Sequence, residues 1–347
     1  MIKYEKAKKK GARMIYNKKS SILLILKILE EYSDEEHFLT QQEIIEKVKN
    51  IYNVELERKS VAFSLSLLQE LDYDINKSSR GGYALLSRAL DPSEVRYITD
   101  ALFSSKTIDA HQAVKLSKAL SGCLSKYQRR DYNYIHKSVE ISKFANKDLF
   151  FIVETIEEAK KKGKRVSFQY IAFDSNGEPY IKRDGFRYIV SPYYTVNSNG
   201  RYYLICNYRE KYRPISAFRI DYIRNIQIED EWDVKPLEKL QGMKEFNISK
   251  YLSENIYLLS GEPVSATIEI EDENTIGAVI DWFGGKAKIY KSEEDGIQYA
   301  RITCNESALF YWCMQYSESI KVVSPQSLID RIKGEAERIL KKYEKSI

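Results

Sequence analysis

Two apolar runs joined by a short basic turn constrain the middle of this chain more than any other feature. The first run covers residues 202–208, the second covers residues 218–223, and the turn between them extends from Arg209 to Arg213. Short runs rich in Tyr, Ile and Leu predict β-strands. We therefore predict two adjoining strands that carry tyrosines close to arginines.

Length and charge suggest several domains and an anionic partner. A chain of 347 residues exceeds what one hydrophobic core organises, so two to four domains are expected. Residues 1–19 hold eight basic residues and one acidic residue, whereas residues 232–347 hold 15 basic and 19 acidic ones. A polyanion is expected to meet the N-terminal side first.

Residues 20–88 predict three helices followed by a β-hairpin. Thr40 and Glu43 have the spacing of a capping box, in which each side chain binds a free amide at the start of a helix. A third helix is predicted from about Glu57 to Leu71 because apolar residues recur there at helical spacing. That apolar stripe consists of Val61, Leu65, Leu68 and Leu71.

The opposite face of the third helix is predicted to enter the major groove of DNA. Its members are Arg58, Lys59, Ser60, Ala62, Phe63 and Ser66. Two short strands, residues 73–75 and 83–86, follow, and the loop between them carries Lys77 and Arg80 among turn-forming residues. This pattern is typical of a winged helix-turn-helix. A three-helix module that binds another protein is the alternative.

Residues 89–148 are interpreted as linking helices. Asp91, Pro92 and Glu94 have the pattern of a helix start, and amphipathic periodicity follows. We predict that this segment dimerises, because paired DNA half-sites need two copies of a binding domain. Packing within one monomer is the alternative, since periodicity does not reveal what an apolar face packs against.

Residues 149–232 predict a β-rich domain, with Asn199-Gly200 as a two-residue hairpin turn. Tyr202-Tyr203-Leu204, then a charged loop, then Phe218-Arg219-Ile220-Asp221 resemble the signature of the WYL domain, with Tyr202 where the family usually has Trp. The resemblance implies an SH3-like β-barrel that senses nucleic acid or nucleotide-like ligands.

The flanking segments extend the resemblance to WYL transcription regulators over nearly the whole chain from Ser20. Residues 264–345 predict the order strand, helix, strand, strand, helix, strand. Phe283-Gly284 and Leu309-Phe310-Tyr311-Trp312 resemble the family's C-terminal extension. Arg58-Lys59-Ser60-Val61 matches the family's third helix, whereas Ala62-Phe63-Ser64 departs from its pattern and removes a cation.

The resemblance implies a multi-domain α+β fold. Its parts are a basic arm (1–19), a winged helix-turn-helix (20–88), a helical linker (89–148), a WYL sensor domain with an SH3-like β-barrel (149–232) and a small ferredoxin-like α+β C-terminal domain (233–347).

The ligand site expected in the WYL domain combines arginines with tyrosines, because Arg binds phosphate through a planar fork and aromatic rings stack on bases. The candidates are Arg187, Tyr193, Tyr203, Arg213 and Arg219. Arg219 is favoured because an arginine in mid-strand needs a partner, either a ligand or an internal carboxylate such as Asp221. Each tyrosine is either a ligand contact or core filler.

Catalysis, metals and membranes find no support in the sequence. The chain lacks phosphate-binding loops, nucleophile elbows and metalloprotease motifs. Its three histidines and four cysteines lack metal-ligand spacing, and no apolar run approaches the length of a membrane span. We therefore expect a cytoplasmic protein that is not an enzyme and needs no cofactor.

The combined interpretation is a homodimeric DNA-binding transcription regulator. Its winged helices would bind a promoter or operator, and its WYL domain would sense a nucleic-acid or nucleotide-like effector allosterically. The alternative is an accessory protein of phage defence or CRISPR systems that binds single-stranded nucleic acid or a nuclease partner.

Overall fold

A computed structural model describes residues 20–129, 146–208, 214–240, 242–259 and 261–344. These residues belong to two compact units, Met1–Ala145 and Asn146–Ile347, and each unit contains both helices and strands. The fold is thus multi-domain α+β, and its finer division into five domains stays a prediction. The basic arm 1–19, Arg213 and linker residues 130–145 lie outside the described residues.

The first unit contains five helices and one hairpin within its described residues. They are α1 (Ser21–Tyr32), α2 (Gln41–Tyr52), α3 (Arg58–Glu70), β1 (Ile75–Lys77), β2 (Tyr83–Leu85), α4 (Pro92–Ser104) and α5 (Ala110–Ser121). The capping box at the start of α2 is confirmed, because Thr40 Oγ1 accepts from the Glu43 amide and the Glu43 carboxylate accepts from the Thr40 amide.

Helix α3 buries its predicted stripe. Val61, Leu65 and Leu68 are buried in one cluster with residues of α1 and α2. The inclusion of Leu71 in that stripe was wrong, since its side chain is 58% exposed. The helix ends at Glu70, and Asp72 turns the backbone into the left-handed region with φ 64°.

The hairpin begins two residues later than predicted. The Tyr73 amide still donates to the Leu68 carbonyl, which completes the end of α3, so the first strand is Ile75–Lys77 and not residues 73–75. Leu39 exchanges two backbone hydrogen bonds with Tyr83 and adds a third short segment to the pair. A Cβ at Gly82 would lie 2.8 Å from the Phe38 Cβ, so the close approach requires glycine.

A buried carboxylate ties the segment after α5 to the end of α1. The side chain of Asp34 accepts hydrogen bonds from Ser125 Oγ (2.5 Å) and His37 Nδ1 (2.7 Å). Nearby, Arg129 forms a bidentate ion pair with Glu31. Burial alone would raise the pKa of Asp34, but these hydrogen bonds outweigh it and lower that pKa.

The second unit begins with α6 (Leu149–Lys162), which packs against a six-stranded antiparallel sheet. The strands run β4-β3-β5-β6-β7, and β8 pairs with β3 as well. Asn199 and Gly200 both have positive φ and form the predicted two-residue turn between β5 and β6. The strands are β3 (Lys164–Phe173), β4 (Pro179–Ile181), β5 (Tyr188–Ser198), β6 (Arg201–Asn207), β7 (Ser216–Arg219) and β8 (Ile223–Asp233).

The run predicted as one strand over residues 218–223 is broken in the structure. Strand β7 ends at Arg219, a 3-10 turn covers Ile220–Tyr222, and β8 starts at Ile223. Arg219 therefore lies at a strand end and not in mid-strand. At this break Asp221 is buried and its carboxylate accepts a hydrogen bond from the Arg219 side chain.

The C-terminal part of the second unit is a four-stranded antiparallel sheet with order β10-β11-β9-β12. Its elements after α7 (Ile248–Glu254) are β9 (Pro263–Ile270), α8 (Thr275–Phe283), β10 (Lys288–Lys291), β11 (Gln298–Asn305), α9 (Glu306–Gln315), β12 (Ile320–Ser324) and α10 (Gln326–Glu344). Trp312 and Leu328 are fully buried with Ile268 and Ile302 in its core. No helix within the described ranges is long and apolar enough to span a membrane.

We predict that Asp34→Asn lowers the free energy of unfolding by about 1–3 kcal/mol at neutral pH, because it removes charge-assisted hydrogen bonds. The folded-state pKa of Asp34 lies below its ordinary value of 3.8, so the carboxylate's contribution is present above that value and is lost as pH falls through the folded-state pKa. Urea unfolding at several pH values measures this difference.

The matched control is Glu35→Gln, which makes the same charge change at an exposed neighbour. If Asp34→Asn and Glu35→Gln shift the unfolding curve equally, or if the Asp34 effect persists undiminished at low pH, the proposed role of this carboxylate is wrong.

Candidate functional site

The exposed face of α3 carries the residues predicted to contact DNA. Lys59 and Ser66 are exposed, Ser60 is half-buried, and Phe63 is 69% exposed. Arg58 is exposed, but its Nε donates to Gln41 Oε1 (3.0 Å), which holds the guanidinium against α2. The buried stripe fixes this orientation, since a helix that packs one face on the core turns the opposite face outward.

The hairpin displays two cations in the same unit, Lys77 at the end of β1 and Arg80 in the loop. Lys77 and Arg80 are both exposed, and the Lys77 ammonium lies 5.7 Å from the centre of the Tyr83 ring. Ser78 closes the loop, because its amide donates to the Gly82 carbonyl and its Oγ accepts from the Gly82 amide. The Gln69 side chain of α3 donates through Nε2 to the Ile75 carbonyl (2.7 Å), which connects the hairpin to that helix.

In the second unit, Arg219 and Asp221 form a bidentate ion pair. Arg219 Nε lies 3.1 Å from Asp221 Oδ1, and Nη2 lies 2.5 Å from Oδ2. The Asp221 side chain is 3% exposed and that of Arg219 is 20% exposed. Burial alone would lower the pKa of Arg219, but the hydrogen bonds and charge of Asp221 raise it. The internal carboxylate considered as an alternative to a ligand is therefore the partner observed.

Three tyrosines surround this pair. The Arg219 guanidinium lies 3.9 Å from the centre of the Tyr222 ring, a cation–π contact. The Tyr170 hydroxyl accepts from the Arg219 amide (3.0 Å), and burial raises the pKa of that hydroxyl. Tyr203, and not Tyr202, is the cross-strand partner of Arg219. Sequence reasoning missed the packing of Tyr222 under the arginine, because that contact depends on the turn after β7.

The other predicted effector residues do not join Arg219. Arg187 donates to Ser167 Oγ (2.7 Å) and to the Asn225 carbonyl (2.9 Å). Ser167 and Tyr170 are three positions apart on β3, so their side chains point to opposite faces of the sheet. Tyr193, on β5, donates to the Lys235 carbonyl (2.8 Å). Arg213 lies outside the described residues.

A cleft of about 760 Å³ in the second unit was missed by sequence reasoning. Its charged lining consists of Glu245, Glu254, Glu262 and Lys250, with Phe218, Phe246 and Tyr251 as aromatic walls. None of the four described effector candidates lines it. Because three carboxylates face one ammonium, this cleft disfavours a phosphate-bearing ligand. Its residues are far apart in sequence, and no local signal joined them.

Metal and thiol chemistry gain no geometric support within the described ranges. No group of three or more His, Cys, Asp or Glu side chains there could hold a metal ion. Cys206, Cys304 and Cys313 are buried as free thiols, and burial raises the pKa of each. A buried thiol with a raised pKa is a poor nucleophile.

We predict that Arg219→Ala lowers the free energy of unfolding by about 3 kcal/mol, because it leaves the buried Asp221 carboxylate without a counter-charge. Arg219→Lys should lose less, since it keeps the charge but not the bidentate geometry. Chemical unfolding of the full chain measures both effects. Arg201→Ala, in the neighbouring strand, is the control, and equal unfolding curves for Arg219→Ala and Arg201→Ala would contradict the prediction.

Comparisons with known proteins bear on the second unit. A family model for the WYL domain matches residues 152–228. Proteasome accessory factor B/C of Arthrobacter aurescens aligns with 93% of this chain at 14% identity and a TM-score of 0.29. The alignment covers 49% of that protein, so this chain spans about half the length of the protein that it matches. A crystal structure of a CRISPR Cas-related protein aligns with 95% of this chain and 85% of its own at 15% identity and a TM-score of 0.38. No curated protein matches. The chain therefore contains a WYL domain, formed by residues 152–228.

Proposed function

We propose that this protein is a DNA-binding transcription regulator whose WYL domain senses a nucleic-acid or nucleotide-like ligand in the cytoplasm. In this proposal, residues 20–88 are a winged helix-turn-helix, the six-stranded sheet is an SH3-like barrel and the C-terminal sheet is a ferredoxin-like domain. Three helices followed by a hairpin support the first assignment, and the strand order β10-β11-β9-β12 supports the last.

The observation that carries the proposal is the exposed face of α3 together with the cationic hairpin loop, in a chain that contains a WYL domain. Lys59, Lys77 and Arg80 offer ammonium and guanidinium groups for phosphates, which position a protein on a duplex. Among the described residues this side of the helix is exposed, and an α-helix has the width that a major groove admits.

The effector proposal is centred on Arg219 and Tyr203. Asp221 binds Nε and Nη2 of Arg219, so the Nη1 donors of the planar guanidinium are directed away from that carboxylate. Tyr203 is the cross-strand partner of Arg219 on β6, so the two side chains project from the same face of the sheet. A ligand with a phosphate and a base fits these two groups, since one binds the anion and the other stacks.

We further propose a homodimer in which the effector changes duplex affinity. A ligand shifts the equilibrium between two arrangements of a protein only if it binds one of them more tightly than the other. Effector binding must therefore favour one arrangement of the paired winged helices. The alternative is an accessory protein that binds single-stranded nucleic acid. Comparing the affinities of the chain for duplex and for single-stranded DNA at one salt concentration separates the two proposals.

We predict that Lys59→Ala/Arg80→Ala weakens binding to duplex DNA and makes its salt dependence shallower. The slope of log K against log salt should fall by about 0.9 for each phosphate that the variant no longer neutralises. Fluorescence anisotropy at several salt concentrations measures it. Lys115→Ala/Lys118→Ala on α5 removes the same charge from exposed positions of the same unit, and it should leave the slope unchanged. Identical slopes for the two double variants would contradict the assignment.

We predict that Arg219→Lys lowers the affinity for short single-stranded oligonucleotides or cyclic nucleotides about tenfold, because an ammonium cannot bind phosphate and Asp221 through one planar fork. Calorimetry on the full chain measures this affinity. Arg187→Lys is the matched control, since Arg187 is bonded to Ser167 on the other face of β3. If the wild type binds such a ligand and Arg219→Lys binds it with the same affinity, Arg219 is purely structural.

A further inference from the structure

Phe63 is a large apolar side chain that lies exposed on the described surface of the first unit. It is 69% exposed on α3, although the same helix buries Val61, Leu65 and Leu68. A helix has 3.6 residues per turn, so Lys59 lies one turn before Phe63 on the same face and Ser66 lies one turn after it. Ala62 is exposed beside it. The centre of this face is thus apolar and small, with a cation at its N-terminal end.

The charges around Phe63 favour a polyanion at the N-terminal half of the helix. Lys59 and Arg58 lie there beside one carboxylate, that of the N-cap residue Glu57, and the hairpin adds Lys77 and Arg80. The carboxylate on the same face, Glu70, is seven residues beyond Phe63, about 10 Å along the helix axis. In helix-turn-helix proteins the N-terminal residues of the reading helix contact bases, so Glu70 lies at the end that leaves the groove.

The base edges of the major groove determine what such a face can recognise. Specific hydrogen-bond readout depends mainly on Arg, Lys, Asn and Gln side chains. On this face Gln41 holds Arg58 through Nε, so hydrogen-bond readout is limited to the Arg58 Nη groups, the Lys59 ammonium and the hydroxyls of Ser60 and Ser66. The C5-methyl of thymine is the apolar group that the groove offers, and Ala and Phe side chains contact it.

We infer that Phe63, with Ala62, is a specificity determinant that contacts thymine methyl groups, so the DNA site of this protein contains thymines under the centre of α3. The inference rests on the proposed DNA-binding function and names the chemistry that this function reads. Contact with phosphates through Lys59 and the hairpin positions the helix, and the apolar centre selects the base.

The experiment starts from a random duplex library from which the full wild-type chain selects its binding sequences. Each thymine of the selected sequence is then replaced in turn by deoxyuridine, which removes the methyl group and keeps every hydrogen-bonding atom. We expect one or two replacements to weaken wild-type binding about fourfold each, because the complex then no longer buries one methyl group.

Phe63→Ala should lose most of the preference for thymine over deoxyuridine, because only the small methyl groups of Ala62 and of the introduced alanine remain, whereas Phe63→Leu should retain more of it. Tyr97→Ala is the control, since Tyr97 is an exposed aromatic residue (78%) on α4 of the same unit, and it should keep the wild-type preference. Because Phe63 is exposed, its replacement should leave the unfolding curve unchanged.

The possible outcomes separate the inference from the function on which it rests. If the chain selects a duplex but no deoxyuridine replacement weakens it, or if Phe63→Ala keeps the full preference, the thymine inference is wrong and duplex binding stands. If no duplex sequence is enriched while single strands bind, the proposed DNA-binding function fails and the inference fails with it.

Discussion

The buried carboxylate of Asp221 is the constraint on which the WYL domain's candidate site depends. A carboxylate that is 3% exposed must be paired, and Arg219 supplies both the charge and two hydrogen bonds. The pair lies at the turn between β7 and β8, its guanidinium lies on the Tyr222 ring, and the Arg219 amide donates to the Tyr170 hydroxyl. One ion pair therefore connects the backbone turn, the aromatic packing and the orientation of the remaining Arg219 donors.

Two surfaces of the second unit differ in charge. Around Arg219 a cation lies among tyrosines, whereas the 760 Å³ cleft is lined by Glu245, Glu254 and Glu262 with a single lysine. Size alone would favour the cleft as a ligand site. Charge disfavours the cleft for a phosphate-bearing ligand, because its three carboxylates outnumber its one ammonium. The proposed effector site therefore follows from charge and geometry, not from volume.

Local signals could be read from the sequence, and contacts between distant segments could not. The Thr40–Glu43 capping box and the Asn199-Gly200 turn depend on neighbours a few residues away, and both are confirmed. The prediction of a continuous strand through Arg219 was wrong. The backbone forms a 3-10 turn there with Asp221 buried, and burial of that carboxylate depends on contacts with distant segments. Arg187 and Arg219 share a residue type but lie on opposite sides of β3, since strand register and not composition decides which side chains meet.

The surface that α3 forms with its hairpin is proposed to bind duplex DNA, and this is the claim to test first. The most direct measurement is competition between duplex and single strands of the same sequence for the full chain, at one fixed salt concentration and then across a salt series. We expect tighter duplex binding, with an affinity that falls steeply as salt increases. Equal or tighter binding of single strands, or duplex binding indifferent to salt, would contradict the claim.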